Sequence, residues 1–69
     1  MANLEKYEKI ERTTLTMKET AKYLGISYWL IGNLVRENKI PHFRMGGKIL
    51  FRKKIIDKFI EEQEKNVAK

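Results

Sequence analysis

Apolar positions along the chain change period twice, dividing it into a helical half, an alternating stretch and a second helical run. In Met1 to Thr14, Leu4, Tyr7 and Ile10 recur at every third position of a polar, mixed-charge segment. That spacing predicts a short helix, or an arm over residues 1–14 pinned to a core by Tyr7 or Ile10. Thr16-Met17-Lys18-Glu19 then fits a capping box, in which a threonine hydroxyl and a glutamate carboxylate satisfy free amides of a helix's first turn. Met17, Ala21 and Leu24 fall on one face, and Gly25 follows, where a left-handed residue closes a helix at little cost. The first helix is predicted over 17–24. Ile26 is placed for a Schellman contact, and Ser27 caps a second helix whose buried stripe is Leu30, Ile31, Leu34 and Val35. Asn38 ends it, because asparagine tolerates the left-handed region.

After Pro41 the pattern alternates: Phe43, Met45, Ile49 and Phe51 are apolar, His42, Arg44, Lys48 and Arg52 polar, with Gly46-Gly47 between the runs. This predicts a β-hairpin. Residues opposite one another in an antiparallel pair share a face. A three-residue loop, Met45 to Gly47, pairs Arg44 with Lys48 and Phe43 with Ile49, which separates an apolar face from a basic one. We therefore expect that loop, with Gly47 left-handed and Leu50 stranded on the basic face. From Lys53, the positions Ile55, Ile56, Phe59 and Ile60 mark one face of a closing helix, and Glu61, Glu62 and Glu64 suggest a solvated, fraying end. The expected organisation is an arm (1–14), one folded unit (15–62) and a tail (63–69).

Charge sharpens this outline. Arg36 to Lys54 holds seven basic residues and one acidic, the whole +6 excess of the chain, while the rest balances. A solvated face usually mixes its signs, whereas a one-sign stretch patterned like folded structure suits phosphate binding. Lys53 and Lys54 at a helix start oppose the helix dipole unless an anion lies near. With 69 residues and no cysteine, a single small domain must be held by its apolar core, without disulfides or a thiolate zinc site. No run approaches the ~18 apolar residues of a membrane span, so a non-exported, cytoplasmic protein is expected.

Catalytic patterns are missing from the sequence. His42 is the only histidine, Ser27 the only serine, and Gly46-Gly47 reads as a turn rather than a phosphate cradle. Asp57 and Glu61 lie one turn apart beside Lys58, a solvated helix face rather than a metal site. No catalytic residue, cofactor or metal is expected.

Two short helices joined by Leu24-Gly25-Ile26-Ser27, a basic hairpin and a closing helix describe an α+β winged helix-turn-helix. The runs Leu15 to Ser27 (LTMKETAKYLGIS), Leu34 to Pro41 (LVRENKIP), Arg44 to Lys48 (RMGGK) and Phe51 to Lys53 (FRK) resemble the excisionase-type branch of the MerR-like winged helices. The resemblance covers about Leu15 to Ile60. It is nearest to excisionases of conjugative transposons, through Glu37-Asn38-Lys39 and Ile55-Ile56-Asp57, and departs from the family at Asn38 and Gly32.

The resemblance implies a second helix lying in the major groove of double-stranded DNA, with Tyr28, Trp29, Asn33 and Arg36 facing it, and a wing carrying Arg44 and Lys48. Arg52, Lys53 and Lys54 complete the expected basic set. Asparagine suits adenine, arginine suits guanine or phosphate, and tyrosine suits phosphate. Trp29 has two readings, contact with thymine methyls or sugars, and packing on the arm or hairpin. The resemblance further implies an architectural factor that bends bacterial DNA for a tyrosine-type integrase, with several copies side by side and no membrane partner. The nine residues after Ile60 are too few for the effector module of a ligand-sensing relative, which favours this role. A small phage-type transcriptional regulator and an adaptor for an acidic protein are the alternatives.

Overall fold

β-Branched residues dominate Thr13 to Thr16, and there the chain forms a strand that the apolar pattern did not predict. A computed structural model describes residues 12–67. Its elements are β1 (Thr14–Thr16), α1 (Met17–Leu24), α2 (Tyr28–Arg36), β2 (Phe43–Met45), β3 (Lys48–Arg52) and α3 (Lys53–Val67). Leu4, Tyr7 and Ile10 lie outside the described residues.

The helix ends follow their local chemistry. The Glu19 amide donates to Thr16 Oγ1 at 3.2 Å and the Thr16 amide to Glu19 Oε1 at 2.9 Å, which closes the capping box of α1. At its other end Gly25 is left-handed (φ 73°), and the amides of Gly25 and Ile26 reach the carbonyls of Lys22 and Ala21. This is the expected Schellman closure. Ser27 Oγ accepts from the Leu30 amide at 3.0 Å and so starts α2. Asn38, at φ 57°, closes α2 in the same way, its amide on Val35 and that of Lys39 on Leu34.

The hairpin corrects one expectation. Gly46 and Gly47 both have positive φ (56° and 87°), and Met45 pairs with Lys48, so the loop has two residues rather than three. Two consecutive left-handed glycines suit the tight turn whose twist matches the strands. Arg44 consequently pairs with Ile49, and Phe43 with Leu50. The three-residue loop rested on placing Phe43 on the core face and Arg44 on the basic one. Instead Phe43 and Leu50, both half-buried, support each other on the outer face across the strands, beside Met45. Leu50 is no longer stranded.

β3 is the central strand of the sheet, ordered β1-β3-β2, with Leu15 opposite Phe51 and Thr16 opposite Leu50. The inner face thus carries Leu15, Ile49 and Phe51. They meet a core of Ala21, Ile31, Val35, Ile40 and Ile56, in which Phe51, Ile31 and Ile56 are fully enclosed. Thr20 is buried with them, and its hydroxyl donates to the Thr16 carbonyl at 2.8 Å, so the polar atom is satisfied. Truncating Phe51 to alanine would cost about 3–5 kcal/mol, a large share of a small domain's stability.

Two further residues depart from the pattern. Leu30, expected in the buried stripe of α2, is 38% exposed, because it lies over an apolar groove of about 610 Å3 between α2 and α3 rather than over Phe51. Ile55 is 41% exposed, leaving Ile56, Phe59 and Ile60 to dock α3. That helix continues through Glu61, Glu62 and Glu64, where a fraying end was expected. No helix among the described residues is long and apolar enough to cross a membrane.

Candidate nucleic-acid interface

At 100° per residue, burial of Ile31 and Val35 turns Trp29, Asn33 and Arg36 outward. Tyr28 is 56% exposed and Trp29 72%; Arg36 is exposed and Asn33 half-buried. Trp29 is therefore not packed away beneath the hairpin. Asn33 and Arg36, one turn apart, are joined: an Arg36 guanidinium nitrogen donates to Asn33 Oδ1. The sequence placed the two on one face without showing that they engage each other. While that bond holds, one of the two lone pairs of Asn33 Oδ1 is taken, and the other, with the NH2, remains for a bidentate contact.

Gly32 shares this side of α2, between Tyr28 and Arg36 in the i, i+4 row. A Cβ there would meet only Met17 Cε, at 3.8 Å, which is ordinary contact. The fold does not require glycine at this position. Its cost to the helix, about 1 kcal/mol relative to alanine, has no return inside the molecule.

The wing residues are not brought onto one face. Arg44 pairs with Ile49 on the side of the sheet that also bears Phe51, whereas Lys48 and Arg52 lie on the other side with Leu50. All three side chains are exposed. The shift from a single basic face to two follows from the two-residue turn, which moves β2 by one residue against β3.

Lys53 and Lys54 at the start of α3 are exposed, and they differ in surroundings. The Lys53 ammonium lies 5.7 Å from the centre of the Tyr23 ring, within cation–π range. Tyr23 in turn donates its hydroxyl to Asp57 Oδ1 at 2.5 Å, and this bond, with a smaller contribution from burial, raises the phenol's pKa. The backbone amide of Lys53 donates to the Thr13 carbonyl at 2.9 Å. Helix α3 is thus tied to α1 and to the residue preceding β1 at its first turn. Tyr23 was missed in the sequence because it belongs to no apolar stripe and its partner lies far along the chain.

Arg12 and Glu19 form a second tie. The Arg12 guanidinium donates to both carboxylate oxygens, at 2.5 and 2.8 Å, and the Thr16 amide adds a third bond. Arg12, followed by that amide, holds the Glu19 carboxyl down at about 2. His42 Nδ1 donates to the Ile40 carbonyl at 2.8 Å, and its ring tilts against Phe51 at 6.3 Å. That is a packing role. No group of three or more metal-ligating side chains occurs among the described residues.

A capped helix with exposed aromatic and basic side chains, flanked by a glycine-tipped hairpin, has the layout of a helix-turn-helix reader with a wing. No curated protein and no solved structure matched the chain. Residues 14–64, which run from the first described strand into α3, match the family described as a helix-turn-helix domain. With most of its length accounted for in this way, the chain belongs to the helix-turn-helix domain family, whose members are built to bind DNA.

Proposed function

We propose that this chain is an excisionase-like architectural factor. It binds a specific DNA site beside a recombination junction and bends the duplex so that a tyrosine-type integrase assembles for excision of a mobile element. The observation that carries the DNA reading is the exposed row of Tyr28, Trp29 and Arg36 on a helix fixed by Ser27 and Asn38, next to a wing bearing Arg44 and Lys48. Residues 15–62 form the binding unit. Tyr28 to Arg36 enter the major groove, and Asn33 and Arg36 read base edges there. The wing residues with Arg52, Lys53 and Lys54 neutralise phosphates. The excision role rests on the resemblance of Glu37-Asn38-Lys39 and Ile55-Ile56-Asp57 to excisionases of conjugative transposons. It places the protein in the bacterial cytoplasm, on the nucleoid, with several copies side by side on their site.

A gel-shift salt titration tests the first step. Neutralising about 4 to 6 phosphates gives a slope of log K against log salt of about −4 to −5. A flat response overturns DNA binding and favours an adaptor for an acidic protein. Bending is tested by moving the site along a fragment of fixed length: mobility depends on position for an architectural factor. Position-independent mobility favours a small transcriptional regulator.

A further inference from the structure

Between the first turn of α1, the start of α2 and the tip of the wing lies an open cleft of about 280 Å3, lined by Thr16, Met17, Lys18, Tyr28, Lys48 and Ile49. Its chemistry is one-sided. Lys18 lines it from α1 and Lys48 from β3, both exposed, and Tyr28 lines it from α2. No carboxylate lines it. Glu19, next to Lys18 in sequence, is engaged by Arg12 and the Thr16 amide. Met17 and Ile49 supply half-buried apolar walls. Two cationic residues from separate elements thus border one space, with a threonine and a tyrosine beside them, a set of side chains that suits an anion.

We propose that this cleft seats one phosphodiester of the DNA strand that passes between α2 and the wing, with Lys18 as a phosphate-binding residue opposite Lys48. This rests on the DNA reading above and adds a contact outside the basic window from Arg36 to Lys54. The sequence could not single out Lys18, because in the linear order it stands among balanced charges. Only the fold brings it to Lys48. The first helix of such a motif crosses the DNA backbone while the second enters the groove, so a lysine in the first turn of α1 is suitably placed for a phosphate.

The experiment is a salt titration of binding to the specific site and to random duplex, with the whole chain as wild type, Lys18→Ala, Lys18→Arg and, as a control on α3, Lys58→Ala. Lys18→Ala is expected to weaken both kinds of binding and to reduce the slope by about 0.9, the value of one phosphate contact. Lys18→Arg keeps the wild-type slope, Lys58→Ala leaves it unchanged, and all four melt alike because both side chains are exposed. An unchanged slope and affinity for Lys18→Ala overturn the inference while wild-type DNA binding stands. A flat wild-type response overturns the DNA reading itself. Inorganic phosphate separates a duplex site from a free-anion site: at equal ionic strength it competes no better than chloride if the cleft is built for DNA, and stronger competition overturns the assignment.

Discussion

Arg36 donates to the side-chain oxygen of Asn33 one turn earlier in α2, so the two polar residues best placed to read bases are coupled before any DNA arrives. Asn33 Oδ1 keeps a second lone pair, so the carboxamide can read an adenine with both amide groups while Arg36 holds its rotamer. Arg36 is exposed and the bond lies at the surface, so its loss costs little in water. Asn33→Ala is expected to lower affinity for the specific site by about 1–3 kcal/mol, to relax preference at one base pair, and to leave binding to random duplex nearly unchanged. Arg36→Ala should cost both kinds of binding if it meets phosphate, and specific binding alone if it meets guanine. Competition binding against single-base variants of the site separates these outcomes. An Asn33→Ala variant that merely melts earlier, with its base preference intact, would remove Asn33 from the reading set.

The wing gives a second test through its register. Arg44 and Lys48 lie on opposite faces of the sheet, so they meet different phosphates. Each alanine variant is expected to weaken specific and random binding together and to lower the salt slope by about one unit, and the double variant by about two. Thermal melts should not move, because both side chains are exposed. A double variant no weaker than either single one would mean that the two cations serve one phosphate, and the hairpin would then approach DNA edge-on.

What the sequence revealed of this fold was what is decided within a few residues. Thr16 with Glu19 and Ser27 satisfy amides, and Gly25 and Asn38 let the chain satisfy carbonyls, no more than five positions apart, and all four ends stand where the sequence put them. The hairpin register was not legible, because reasoning from two strands assigned Phe43 to the core. The two-residue turn decides the matter: with Met45 opposite Lys48, Phe43 falls opposite Leu50 on the outer face. β1 itself was missed because three residues give too short an alternation, and its partner is far along the chain. In the interface, exposure of Tyr28, Trp29 and Arg36 followed from helical periodicity. The bond between Asn33 and Arg36 depends on rotamers, and the split of the wing's cations depends on a turn, neither of which periodicity fixes.

Acid provides a third test. The Glu19 carboxyl is held at about 2, against an ordinary 4.5, chiefly by the Arg12 guanidinium and then by the Thr16 amide. A carboxyl with a depressed folded-state pKa stabilises the fold above its unfolded value, and that contribution is lost as pH falls from about 4.5 towards 2. The pair is exposed, so salt weakens it. Glu19→Gln keeps an amide oxygen able to complete the capping box and removes the charge. Its melting temperature should lie below wild type at neutral pH, with the gap closing as pH falls through that window and narrowing in high salt. A gap independent of pH would mean that the capping geometry, and not the carboxylate charge, is what Glu19 contributes.

Gly32 separates the demands of the fold from those of the ligand. It sits inside α2, in the row from Tyr28 to Arg36, and a methyl group added there meets only the end of Met17 at 3.8 Å. Alanine should therefore stabilise the helix by about 1 kcal/mol, which for a domain of this size raises the melting temperature by about 4–8 °C. If glycine is present so that the α2 backbone can lie against DNA, the same substitution must weaken binding, because the methyl would occupy space that the duplex needs. Higher melting temperature with lower affinity is the expected result, measured by calorimetry and gel shift on one preparation. Gly32→Ser should lose more affinity than Gly32→Ala, since it projects further along the same line. A Gly32→Ala variant that melts higher and binds DNA as tightly as wild type would show that the glycine answers to neither the fold nor the duplex.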